Sequence, residues 1–110
     1  MPVINFIHQL KLQDIPEAIQ QEGVRSLLDT LGAAIIGRKT HVSHIVNEYV
    51  VTVSGGKGAF LWLDGREVSM PAAAFANGMT TDAMGIYGGH PLARGTAGAT
   101  LLATLLATIP

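Results

Sequence analysis

Apolar positions fall into helical register over three stretches of the chain. After Asp14-Ile15-Pro16-Glu17, the residues Val24, Leu27, Leu28, Leu31 and Ile35 recur at spacings of three and four, which marks one apolar helix face. Asp14 is expected to cap the free amides, Pro16 to sit in the first turn and Glu17 to complete a reciprocal cap. Gly37 is placed at the C-cap, with Arg38 and Lys39 on the negative end of the helix dipole. Gly23 is a candidate break, since an interior glycine costs about 1 kcal/mol. Ala33 and Ala34 permit a neighbouring helix to come close. Asp29 is read on the polar flank of this helix, the alternative being a buried carboxylate. A second helix is expected from a Ser43 cap, with Val42, Ile45, Val46 and Tyr49 on one side. The third covers residues 96–108, grouping Leu101, Leu102, Leu105 and Leu106 beside Thr100, Thr104 and Thr108. Residues 1–13 are apolar without a clean period and suggest a short helix or an extended arm packed on the body.

Between these stretches the pattern changes. Val50, Val51 and Val53 are β-like. Ser54-Gly55-Gly56-Lys57-Gly58 is a turn; a phosphate cradle would need Gly-Lys-Ser/Thr directly before a helix, and here an extended run follows. Two short extended pieces around Asp64-Gly65 suggest a hairpin near residues 60–68, with Trp62 packing on the helices or facing a partner. Residues 71–90 are the centre of the chain. Pro71 opens a helix with Ser69 as its cap, and Ala72, Ala73, Ala74 and Ala76 keep it small on every face, as packing from several sides requires. Gly78 and Gly85 are expected to interrupt it, and Gly88 and Gly89 to end it. It carries Asn77, Asp82, Thr80 and Thr81 toward a glycine-rich loop holding His90 and Arg94. The expected fold is all-α, a single domain over residues 1–110 with at most one short β-hairpin.

Composition sharpens this picture. Hydrophobic residues make up 48% of 110 and charged ones 14%, against roughly 25% charged in ordinary soluble domains. That excess predicts an apolar partner, either another copy of the chain or a larger domain around it. Replacing Leu102 and Leu106 by Ala is expected to weaken the assembly or the fold. Seven basic residues against eight acidic ones give a net charge of −1, so no basic footprint for nucleic acid exists. With no cysteine, thiolate catalysis, thiolate metal sites and disulfides are excluded. The N-terminus lacks the charged start and long apolar core of a secretory signal, and the apolar tract 95–109 is too short for the ~20 residues of a membrane span. The expectation is a cytoplasmic protein without a membrane partner. His8 is read as a surface or packing residue. His41 and His44 form a His-x-x-His pair with no third ligand nearby.

Three segments carry a family resemblance: RSLLDTLGAAIIGR, GAFLWLDGREVSMPAAAFANGMTTDAMGIYGGH and GTAGATLLATLLA. Together they resemble the MmgE/PrpD family, which includes 2-methylcitrate dehydratase, cis-aconitate decarboxylase and iminodisuccinate epimerase. The likeness spans roughly residues 16–108, and AAFANG is its most specific part. It implies the first part of a helical domain, in an enzyme family several times longer that needs no metal or organic cofactor. Where the family typically has a histidine four residues after Asn-Gly, this chain has Asp82. Its catalytic Asp falls here at Gly85, a further acidic position at Gly88, and its active-site His at Thr96.

Two readings follow. In the first, the chain derives from a lyase or epimerase acting on a small di- or tricarboxylate, with Asp82 and His90 as a substitute acid–base pair, Asn77 in the ligand site, and Arg94 or Lys57 holding a carboxylate. In the second, it is a non-catalytic helical protein that self-associates or is completed by a longer homologous chain. The glycines and threonine at the acid–base positions favour inactivity of the chain alone, because proton abstraction needs a base within about 3 Å. An adjacent reading frame carrying the remaining family segments would identify an interrupted gene.

Overall fold

The computed structural model describes residues 2–85, 92 and 98–109. The fold is all-α with one short hairpin. Helix α1 covers Pro2–Gln9, and a single 3-10 turn at Leu12–Asp14 leads to α2, Glu17–Gly37. Helix α3 is His41–Tyr49 and runs on into a wide π-helical turn, Val50–Ser54. Strands β1, Gly58–Phe60, and β2, Glu67–Ser69, pair antiparallel with Ala59 opposite Val68. Helix α4, Met70–Asp82, is followed by a second π-helical turn, Gly98–Leu102, and by α5, Ala103–Thr108. The hairpin starts two residues earlier than its expected 60–68.

Helix α4 is the hub, with α2, α3, α5 and the hairpin packed around it. Its alanines make that possible: Ala72, Ala73 and Ala76 are buried, and Gly78 lets the Ala99 carbonyl come within 3.3 Å of where a Cβ would stand. Gly78 therefore lies inside the helix as a packing residue and does not interrupt it. The same reason accounts for Gly37. It ends α2 in ordinary helical backbone, and a methyl there would overlap the Thr80 carbonyl oxygen of α4. Its expected role as a left-handed cap is replaced by close helix approach.

The helices turn the opposite faces inward from those expected. On α2 the buried positions are Thr30, Ala33, Ala34 and Gly37, while Val24, Leu27, Leu28 and Ile35 are exposed. On α3 Ser43 and Asn47 are buried and Val46 is half-buried against the core, while Val42, Ile45 and Tyr49 are exposed. Around α5 it is Ala99, Ala103 and Ala107 that are buried, with Leu101, Leu105 and Leu106 exposed. Both faces of each helix have helical spacing, and the smaller one found its partner within the chain. Among the described residues, the buried apolar side chains larger than alanine are Val50, Leu61 and Val68.

Other local expectations change for identifiable reasons. Asp14 does not cap α2: its carboxylate accepts from the Lys11 amide at 3.0 Å and closes the preceding turn, while Pro16 flanks α2. Helix α2 is continuous through Gly23, which faces open space. Thr40 caps α3 by accepting from the Ser43 amide at 3.2 Å, which frees the Ser43 hydroxyl for α4. Val50, Val51 and Val53 prolong the helix as a π-helical turn instead of forming strand. Asp29 is exposed, on the polar flank as read. No residue of helix α1 is buried, so among the described residues it has no surface that covers its apolar side. The accessible surface is 7702 Å², where a compact monomer of this mass would show roughly 5,800 Å². The radius of gyration is 15.2 Å, against about 13 Å for a compact domain of this length.

Candidate functional site

A groove of about 270 Å³ runs between α4 and the chain leading into α5, lined by Ala74, Phe75, Gly78, Met79, Asp82, Ala99, Thr100 and Thr104. Small residues create it, since Gly78 and Ala99 hold the backbones together while Phe75 and Met79 wall the sides. Asp82 is the last residue of α4 and exposed, so its carboxylate stands at the negative end of the helix dipole. Among the described residues it has no ion-pair partner, and it is the one titratable side chain lining the groove. The Thr104 hydroxyl donates to the Thr100 carbonyl at 2.7 Å, back along its own helix.

Asn77 is buried on a different face of α4, roughly 140° around the axis from Asp82 at about 100° per residue. Its Oδ1 accepts from the Trp62 amide at 2.9 Å, and its Nδ2 donates to the Phe60 carbonyl at 3.1 Å. The carboxamide thereby supplies two backbone bonds that pin the hairpin to α4. Thr80 and Thr81 are engaged within the helical body. The Thr80 hydroxyl pairs with the Ser43 hydroxyl at 2.7 Å, and Thr81 donates to the Asn77 carbonyl at 2.8 Å. Both are buried packing residues.

Lys57 is exposed in the turn before β1. Neighbouring Gly58 lies against Met70 at the opposite end of α4 from Asp82, a separation of about 18 Å along the helix. The structure thus brings none of Asn77, Asp82 and Lys57 together. His90, Arg94, Gly88 and Thr96 lie outside the described residues. Gly85 has φ 62, left-handed backbone facing open space.

Sequence reasoning missed the polar centre of the molecule. The Asp64 side chain is only 4% exposed and accepts from Arg66 Nε at 2.6 Å, Arg66 Nη2 at 2.8 Å and Arg38 Nη2 at 3.1 Å. Arg66 also pairs with Glu48 at 2.8 Å. Hydrogen bonding from Arg66, against the opposing cost of burial, lowers the Asp64 carboxyl to about 2. The Arg66 hydrogen bond lowers Glu48 as well, and Arg66 itself is raised by its bonds to Asp64 and then Glu48. This network joins the end of α2, α3 and the hairpin. It also commits Arg38 and Arg66 to the protein's own carboxylates, so neither is free to grip a ligand. Arg38 and Asp64 are 26 positions apart, and no local signal links them. Among the described residues no three His, Asp or Glu side chains gather as a metal site.

Comparison with known proteins gives a consistent relationship. The family model for the MmgE/PrpD N-terminal domain matches residues 3–109, taking in α1 as well as the segments that carry the resemblance. Human cis-aconitate decarboxylase is 34% identical over 80 residues, covering 71% of this chain and 16% of that protein. The mouse cis-aconitate decarboxylase is 33% identical over 82 residues, covering 72% of this chain and 16% of that protein. The chain therefore spans about a sixth of the length of the curated relatives it matches. No solved structure matches it significantly.

Proposed function

This chain belongs to the MmgE/PrpD family through its N-terminal domain, and from that premise we propose that it is the opening helical section of a lyase- or isomerase-type enzyme for small di- or tricarboxylates, non-catalytic by itself. The observation that carries this is the single titratable group, Asp82, among the described residues of the groove. Loss of CO2 from a polycarboxylate leaves a carbanion that an acid must protonate, and loss of water needs a base together with an acid. In this reading Asp82 and His90 are a substitute acid–base pair and Arg94 is the cation for a substrate carboxylate. Lys57, at the opposite end of α4 from Asp82, lies too far away to hold the same small substrate. Asn77 acts on the site by holding the hairpin in place. Binding that is equal in ground and transition states gains nothing in rate.

Gly85 supports the same conclusion. Returning an Asp to that position would place a Cβ on left-handed backbone, which non-glycine residues adopt only at a cost. A carboxylate regained there would also lack the surroundings that orient it.

The test is to incubate the purified chain with cis-aconitate and citrate-like acids and follow products by NMR. No turnover above background is expected. Turnover that disappears in Asp82→Asn or His90→Ala would overturn the non-catalytic reading and make those residues the working pair.

A further inference from the structure

The exposed arm and an apolar cleft at the far end of α2 are complementary. Around α1, Val3, Ile4, Phe6, Ile7 and Leu10 fall within roughly 160° of the helix circumference, with Asn5, His8 and Gln9 opposite. Phe6 is 62% exposed and Ile7 65%. A helix of eight residues is marginal in water without a surface to pack on, and among the described residues none buries any part of α1. The cleft, about 360 Å³, is lined by Leu31, Ala34, Ile35, Trp62, Leu63 and Leu106, none of them charged. Leu63 holds φ 59 beside it, a left-handed backbone that turns its side chain out at 61% exposure.

We propose that α1 of one copy seats in the Trp62 cleft of a second copy, so that two chains exchange arms about a two-fold axis. Leu31 lies about 21 Å along α2 from the Glu17 end where α1 is attached, so the cleft and the arm occupy opposite ends of the same long helix. A two-fold that runs the two α2 helices antiparallel brings each arm to the other's cleft, and makes both contacts at once. The surface permits it. The chain exposes roughly 1,900 Å² more than a compact monomer of its mass, and a standard interface takes about 800 Å² from each partner. Neither surface carries charge to oppose contact, and the net charge of −1 adds little repulsion. The proposal is independent of the carboxylate reading, because neither surface includes a residue of the groove.

Trp62 is the single tryptophan and half-buried at the wall of the cleft, so its emission reports occupancy. The experiment is sedimentation equilibrium of the full chain over a dilution series, with tryptophan emission recorded on the same samples. A dimer is expected, with emission shifting to the blue as it forms. The double variant Phe6→Glu/Ile7→Glu should weaken dimerisation roughly a hundredfold or more, with unchanged helix content in α2–α5, since α1 buries nothing. Leu63→Glu, or Leu106→Glu if the first unfolds, should do the same from the cleft side. An equimolar mixture of the arm variant and the cleft variant keeps one sound arm and one sound cleft, and should recover dimer that neither forms alone. A monomer at every concentration overturns the proposal. So does a dimer that survives the arm substitutions, one that leaves Trp62 emission unmoved, or a mixture that fails to recover. Association seen only with added segments from the longer relatives would assign the cleft to them and overturn it equally.

Discussion

The two faces of α2 differ in a way that reverses the usual expectation of what a core contains. One presents Thr30, Ala33, Ala34 and Gly37 to α4 and is buried; the other presents Val24, Leu27, Leu28 and Ile35 to solvent. Hydrophobicity alone would bury the second. Shape decides otherwise, because α4 is itself alanine-rich and two such helices can interlock backbone against backbone. Within this chain, close fit selects which face is buried, and the large side chains are left exposed.

The sharpest way to break this contrast is to add one side chain to the inner face. Gly37→Val should cost about 3 kcal/mol or more, because the new methyls meet the Thr80 backbone carbonyl, which cannot swing aside. A thermal melt monitored by circular dichroism checks this. A fall of only a degree or two would mean that α2 and α4 are not held at this distance.

A smaller loss is expected from the polar centre that sets where α2 ends. Asp64→Asn leaves Arg38 and Arg66 without their shared carboxylate, and should destabilise by roughly 2–3 kcal/mol. The same group gives a pH signature. Its folded pKa of about 2 lies below the ordinary aspartate value of 3.8. Its contribution is therefore fully present above pH ~4 and lost as pH falls from about 4 toward 2, amounting to about 2 kcal/mol. Urea titrations at pH 5, 3.5 and 2.5 measure this. The Asp64→Asn chain should show a flatter dependence across that window, and an unchanged slope would remove Asp64 from the account.

These two positions also mark how far the sequence was legible. The spacing around α2 announced a helix, and Ala33 and Ala34 announced close approach. Periodicity identifies faces, however, and α2 has two. Choosing between them requires knowing how small the opposing α4 is. The hairpin was visible because Asp64-Gly65 lies between extended runs, a local signal. The ion-pair network was not, since Arg38, Glu48 and Asp64 are joined only after three elements dock. Asn77 was legible as an unusual polar residue in an alanine helix, but its two backbone partners are 15 and 17 positions away. Nothing in its own neighbourhood distinguished a hairpin pin from a ligand contact.

The smallest effect completes the comparison. Leu28→Gln removes a large apolar side chain from the outer face, and should change the stability of the dilute chain by no more than about 0.5 kcal/mol. A loss of 2 kcal/mol or more in a chemical denaturation at low concentration would show that Leu28 packs within its own chain. The ordering of Gly37 above Leu28 is what an ordinary hydrophobic core would reverse.

The alanine-lined centre has a calorimetric consequence. Heat capacity rises on unfolding in proportion to the apolar area released to water, typically about 12–15 cal/mol/K per residue. A core whose larger apolar members are Val50, Leu61 and Val68 releases less, because most of the leucine and isoleucine surface is already hydrated in the folded chain. The increment for this chain therefore falls below that range, and its free-energy curve against temperature is shallow, with weak curvature on either side of its maximum. Warming and cooling both change its stability gently, and a partner covering the outer faces would restore the curvature by making those side chains part of what unfolding exposes.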